Sequence, residues 1–243
     1  AQRTRRDDTT LRVRCAQAVP PGDWGHFDLV KLSLAGGTLR SNALDNLLSA
    51  ALILCLLDDF SASKRRAHVY GVFTTAEEVG FVGAMELMRS KLLPKSVPMV
   101  VMETSRELPG FKIGGGPVVR VGDRMSIYDD ELTRWLTETG EALDAKRADF
   151  QFQRALMPGG ACEATLFQME GRPTCALAIA LANYHNMGRK GAAAEWVNRR
   201  DAEQMLMLLT ALTAQGPKPG RRDELLKRIW RQHRRYAKRF KGR

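Results

Sequence analysis

The sequence predicts an α/β protein, a three-layer α/β/α sandwich built on a mixed, mostly parallel sheet. Three observations predict it. Short apolar runs of strand length recur: HVYGVFT at 68–74, PMVVM at 98–102 and TCALAI at 174–179. Longer stretches of helical periodicity separate them, so helices and strands alternate through the body. With 243 residues, 44% of them hydrophobic and 27% charged, the chain can bury a sizeable core in one large domain without staples. No internal repeat is visible.

Taken in order, residues 1–10 are polar and read as disordered or trimmed. Leu11–Val19 alternates enough for a strand, and Pro20-Pro21-Gly22-Asp23 is a turn. Phe27–Leu34 is a second strand, closed by Gly36-Gly37. Asn46–Phe60 has the apolar content of a buried helix. His68–Thr74 reads as a buried strand, rich in aromatic and β-branched residues, with His68 structural. Glu78–Lys91 follows as a helix offering Val82, Met85, Leu87 and Met88 to the core. Pro98–Met102 is a buried strand with Glu103 at its end. After the glycine loop 114–117 come a strand at Val118–Val121 and an amphipathic helix at Asp129–Leu143. Phe150–Arg154 is a strand, Cys162–Glu170 a helix and Thr174–Ile179 a strand. Asn198–Ala214 is a helix with a core stripe at Met205, Leu208, Leu209 and Leu212. Gln215–Gly220 is a Pro/Gly linker, and Arg221–Phe240 a basic helix.

Net charge is +11, but its distribution matters more than its sum. Eleven of the 38 Lys/Arg and two of the 27 acids fall in 221–243, so that segment carries +9 and residues 1–220 only +2. The body is nearly neutral, and basicity is a property of the tail. The four cysteines (15, 55, 162 and 175) form no CxxC pair, which fits reduced thiols and a cytoplasmic location. No run of about 18 apolar residues exists, so no transmembrane helix is expected. No signal peptide is visible.

Chemistry-bearing residues recur at predicted strand ends and helix starts, where an open α/β sheet gathers its functional groups. Asp45 opens the first apolar helix, Glu77-Glu78 follows HVYGVFT, Glu103 follows PMVVM, and His185 lies shortly after TCALAI. Taken singly, these would be a helix cap, dipole-favoured surface acids and a structural histidine. Their ordered combination points further. Carboxylate oxygen and imidazole nitrogen are Zn²⁺ ligands, and a bridging carboxylate can hold two metals roughly 3.5–4 Å apart. Of two adjacent glutamates, one can ligate while the other acts as general base.

The order SNALDNLLSAALIL, VYGVFTTAEEVGFVGA, VVMETS, GGACEATLFQMEG and ANYHNMG resembles the TET-type aminopeptidase family, whose members are often labelled endoglucanases. The resemblance runs from about Gly22 to Leu212, and AEEVGFVGA is its most specific block. It implies two divalent metal ions, Zn²⁺ first with Co²⁺ or Mn²⁺ as substitutes, a peptide substrate and a homo-oligomer. Asp45 matches the bridging carboxylate and Glu77 the general base. Glu78 and His185 match ligands of one metal. Glu103 matches a ligand of the other, where the family more often has Asp. Gly160, Cys162 and Glu163 stand where many relatives have a Thr-Asp pair, and are read as shaping the substrate site. The family carries a further His in an HxD motif upstream of the bridging Asp. The HxD spacing of His26-Phe27-Asp28 is read as a non-ligand match, so the chain resembles a version lacking the N-terminal part. The implied organisation is a remnant of a β-rich insert and return strand at 1–40, a catalytic domain at 41–214, and a linker with a basic helix at 215–243.

The function expected is removal of N-terminal residues from peptides through metal-activated water. The alternative is a degenerate, non-catalytic relative that binds partners through the scaffold and the basic tail. In the tail, Leu226, Ile229 and Trp230 share a helical face among the cations. Such a helix can dock on the body, or meet an acidic partner, a membrane surface or nucleic acid.

Overall fold

The computed structural model describes residues 2–3, 11–12, 14–15, 17–23, 25–63, 68–217 and 221–240. Gln2–Arg3 (β1) and Leu11–Arg12 (β2) form a short antiparallel pair. Ser33–Ala35 (β3) and Thr38–Ser41 (β4) form a hairpin around Gly36-Gly37, both with positive φ. Helix α1 spans Leu44–Ala62 and α2 Val82–Ser90. Then come Met99–Arg106 (β5), Val118–Asp123 (β6), α3 at Asp130–Asp144, Gln153–Met157 (β7), α4 at Glu163–Met169 and Thr174–Leu181 (β8). A small hairpin pairs Met187–Gly188 (β9) with Gly191–Ala192 (β10). Glu195–Asn198 (β11), α5 at Arg199–Gln215 and α6 at Arg221–Tyr236 complete the regular elements.

The central sheet runs β5-β8-β6-β7. The β5/β8 and β6/β7 pairs are parallel, and β8/β6 is antiparallel. A second sheet, β11-β4-β3, is antiparallel throughout and joins residues 33–41 to the C-terminal half of the fold.

Strand β8 shows why three layers form. All eight of its residues are buried, and they alternate large and small. Cys175, Leu177, Ile179 and Leu181 face a core shared with Leu48 and Leu52 of α1, Leu136 of α3 and Met205 and Leu208 of α5. Ala176 on the opposite face packs with Ala84 of α2 and with Ala164 and Phe167 of α4. Alternation of period two thus gives each face its own helix layer, with small residues where the second layer approaches closely. The core stripe Met205, Leu208, Leu209 and Leu212 is buried as the spacing requires.

Several sequence expectations are corrected. The segment 68–74 is no strand. It carries no ladder bonds, and Tyr70 and Phe73 are exposed, as is His68. The segment runs beside β5 across a cleft rather than pairing with it, so its apolar residues line a cavity wall instead of a core. The helix expected at Glu78–Lys91 breaks in two, because Gly80 and Phe81 take left-handed backbone (φ 105° and 62°) between a 3₁₀ turn at 77–79 and α2. Val82 and Met85 are consequently exposed, and Ala84 supplies the buried contact. Phe150 is a buried anchor ahead of β7, which begins only at Gln153. Of Leu11–Val19 only Leu11–Arg12 is strand, with Val13 and Ala16 outside the described residues, and Phe27–Leu34 is strand only from Ser33. Residues 218–220 of the linker also lie outside the described set.

Candidate metal centre

The carboxyl ends of the parallel strands β5 and β8 point the same way, and the chemistry-bearing residues collect there. Glu103 lies within β5, which continues to Arg106, rather than at its end. His185 follows β8 in a short turn. Asn183, His185 and Asn186 there all take left-handed backbone, with φ near 55°, and so does Ala76 immediately before Glu77. Each such residue costs on the order of 1 kcal/mol or more, a strain that concentrates at functional sites.

Asp45 is held by neighbours rather than acting as a helix cap. Ala43 is the N-cap, and Asp45 and Asn46 have non-helical backbone at the start of α1. The Asp45 N–H donates to Glu195 Oε2 at 2.9 Å, and Thr104 Oγ1 donates to Asp45 Oδ1 at 2.9 Å. Asn46 Nδ2 donates to the Met102 carbonyl of β5 at 2.7 Å. The second carboxylate oxygen of Asp45, Oδ2, lies 3.5 Å from His185 Nε2, and Glu78 Oε2 lies 3.4 Å from the same nitrogen. The Asp45, Glu78 and His185 ligand atoms all lie within 4.8 Å of one another. Tyr184 stacks on the His185 ring at 3.8 Å and holds it in place.

Two adjoining clefts, of about 480 and 290 Å³, share Asp45, Glu77, Glu78 and Glu103 in their walls. The larger lies between α1, segment 72–78 and the outer edge of β5, and Phe73 and Phe167 make it apolar. The smaller is polar and holds Arg106, Arg120, Gly160 and Cys162.

Crowding these carboxylates out of water raises their proton affinity. Burial, then the neighbouring Glu78 and Glu195 charges against an opposing Thr104 hydrogen bond, pushes Asp45 up to about 6. Burial first, then Glu78, Glu163 and Asp45, pushes Glu77 up to about 7. Burial lifts Glu103 well above the ordinary carboxylate range. Such a cluster calls for positive charge. An oxygen-rich donor set with one imidazole suits a hard or borderline divalent cation, so the residues fit a metal ion.

All four expected metal ligands and Glu77 are therefore brought to one place, with Glu103 in the shared wall outside the close triad. Gly160 lines the smaller cleft and Glu163 the larger, with burial raising Glu163. Cys162 lines the smaller cleft beside Gly160. It is buried, its Sγ accepts from Arg120 Nη1 at 3.2 Å, and burial pushes its thiol up to about 11. The thiol is thus turned into a polar cluster where Asp123 accepts from Tyr128 Oη at 2.9 Å. Sequence reasoning passed over Thr104, Arg120, Tyr184 and Glu195. One signal was present: Arg120 is a cation inside the otherwise apolar strand VVRVG, and it is buried.

A three-layer α/β sandwich with a carboxylate–imidazole cluster at the ends of its parallel strands defines the class of molecule. The chain belongs to the M42 glutamyl aminopeptidase family, whose family model matches residues 11–208. It is similar to a putative aminopeptidase of Acetivibrio thermocellus, 29% identical over 160 residues, covering 63% of this chain and 46% of that one. Among solved structures it resembles the TET1 peptidase of Pyrococcus horikoshii, which assembles into a tetrahedron or an octahedral shell (TM-score 0.60, 24% identity, 76% of this chain and 52% of that chain). It also resembles an aminopeptidase of the archaeon Desulfurococcus kamchatkensis (TM-score 0.64, 21% identity, 79% and 53%). The chain spans about half the length of these relatives.

Proposed function

We propose that this chain carries the centre of a metal-dependent aminopeptidase that removes N-terminal residues from peptides. The observation that carries the reading is the Asp45–Glu78–His185 cluster, with its ligand atoms within 4.8 Å, beside a glutamate whose pKa is raised to about 7. Family membership and the aminopeptidase relatives support it.

Asp45, Glu78 and His185 would hold one divalent cation, and Asp45 and Glu103 would help to hold a second. Zn²⁺ suits the donors, and Co²⁺ and Mn²⁺ are accepted by the same oxygen and nitrogen set. Bound there, the cations supply Lewis-acid polarisation of a carbonyl and acidify water. Glu77, half-buried beside the cluster, would take the proton from the attacking water and deliver it to the leaving amine. Thr104 and Glu195 fix Asp45, and Tyr184 fixes the His185 ring, so the cluster is ordered before substrate arrives. Gly160 and Glu163 lie in the cleft walls that a peptide would touch. The oligomeric shells of TET1 support a homo-oligomer here.

The test is hydrolysis of a panel of aminoacyl amides by the Zn²⁺- or Co²⁺-loaded chain and its Glu77→Gln variant. Turnover by wild type, reduced roughly 10²–10⁴-fold in the variant with metal content unchanged, is expected. No turnover on any amide by a metal-loaded chain would overturn the reading in favour of a non-catalytic relative.

A further inference from the structure

Helix α6 lies outside the proposed metal centre, and among the described helices it combines the densest positive charge with exposed apolar residues. At about 100° per residue, Leu225, Ile229 and Tyr236 fall within about 40° of one another, with Leu226 and Trp230 beside them. Lys227, Arg228, Arg231, Arg234 and Arg235 occupy an arc of about 120° on the opposite side. Arg222, in the first turn, Gln232 and His233 are polar residues on the apolar half, and the His233 ring packs edge-on to Trp230 at 5.1 Å. Both acids, Asp223 and Glu224, sit in the first turn, where the helix dipole favours them.

Among the described residues this apolar half is largely uncovered. Leu226, Ile229, Trp230 and Tyr236 are between 43% and 59% exposed. Large apolar groups held in water on a strongly charged helix mark an interaction surface.

We propose that α6 lies on an anionic lipid surface, its apolar half entering the headgroup boundary and its cations meeting the lipid charges. Three features select this occupant. The segment 221–243 carries +9 of the chain's +11, which attracts it to a negative surface. Bulky Leu, Ile and Trp on the reverse of the cationic arc have a place in a bilayer interface, whereas nucleic-acid phosphates would leave them in water. Trp230 lies at the edge of the apolar half. Tyr236 lies at the helix end, flanked by the Arg235 and Arg239 guanidinium groups at 5.6 and 5.3 Å. Amphipathic rings with cations beside them suit headgroup depth. No described helix is long and apolar enough to cross a membrane, so the contact is peripheral.

The experiment is co-sedimentation of the full chain with vesicles of phosphatidylcholine alone and with about 30 mol % phosphatidylserine, in about 150 mM salt. Wild type is expected to bind only the anionic vesicles. Ile229→Asp, which spoils the apolar half, is expected to weaken binding at least tenfold. The triple change Lys227→Gln, Arg228→Gln, Arg231→Gln is expected to weaken it by on the order of a hundredfold. Far-UV circular dichroism should be unchanged in both, because the altered side chains are exposed. Absence of wild-type binding overturns the proposal. So does undiminished binding by Ile229→Asp, which would mean adsorption by charge alone. Binding to a poly(U) RNA without binding to anionic vesicles would assign the surface to nucleic acid. A dimer dissolved by Ile229→Asp, again without vesicle binding, would assign it to a second copy of the chain.

Discussion

Glu77 and Glu78 are neighbours in sequence but have different surroundings. Glu78 is more open and reaches His185 Nε2 at 3.4 Å, while burial and three neighbouring carboxylates raise Glu77 to about 7. In the proposed function that division would give one glutamate to a metal and leave the other for proton transfer. It also makes a pH prediction for the metal-free chain. Asp45, Glu77 and Glu103 all have folded-state pKa values above those of the unfolded chain. The native state therefore binds more protons than the unfolded state as pH rises from about 4 through 7, and stability falls across that window. With chelator present, the melting temperature should be lower at pH 8 than at pH 5. A saturating divalent cation should narrow the gap, because it takes the place of the protons. A metal-free chain equally stable at both pH values would contradict the crowding described. Most of this centre was legible in the sequence, since Asp45, Glu77, Glu78, Glu103 and His185 lie in motifs whose order signals them. The residues that hold Asp45 were not. Thr104 and Glu195 become its neighbours only through tertiary contacts, 59 and 150 positions away.

Among the elements, β8 organises the sheet; its Ala176 is fully buried where the second helix layer approaches, and Ala178 and Ala180 are fully buried with Phe111, Val118 and Met157. Ala176→Leu should destabilise the protein by about 1–3 kcal/mol through overpacking against α2 and α4. Leu136→Ala, at a fully buried position on α3, should cost about 2–5 kcal/mol by leaving a cavity. Denaturant unfolding measures both. These elements were readable because length and periodicity settle a buried strand or an amphipathic helix locally. The segment 68–74 was misread for an instructive reason. Aromatic and β-branched residues report an apolar environment, and here that environment is the wall of a cleft beside β5 rather than the ladder of a sheet. The break at Gly80-Phe81 was equally hidden, since Phe81 gives no local sign of left-handed backbone.

At the scale of the whole molecule, a nearly neutral α/β body is joined to a strongly basic amphipathic helix. The body also exposes Leu47, Leu54, Tyr70, Phe73 and Val79 on and near the larger cleft. Apolar surface of this kind is a property of chains that associate. Light scattering should therefore give a mass that is a multiple of 27.1 kDa. A mass of one chain at micromolar concentration would count against a homo-oligomer. The three-layer class was legible from alternating helices and strands alone. The antiparallel insertion of β6 between β8 and β7 was not, since strand order depends on contacts far apart in the chain.

The most direct measurement is titration of the metal-stripped chain with Co²⁺, followed by absorption and calorimetry, for wild type, His185→Ala and Glu77→Gln. Wild type and Glu77→Gln should bind with similar affinity. His185→Ala should lose the tight site, because it removes the imidazole on which Asp45 and Glu78 converge. Equal binding by all three proteins, or none by wild type, would contradict the assignment of Asp45, Glu78 and His185 as the metal centre.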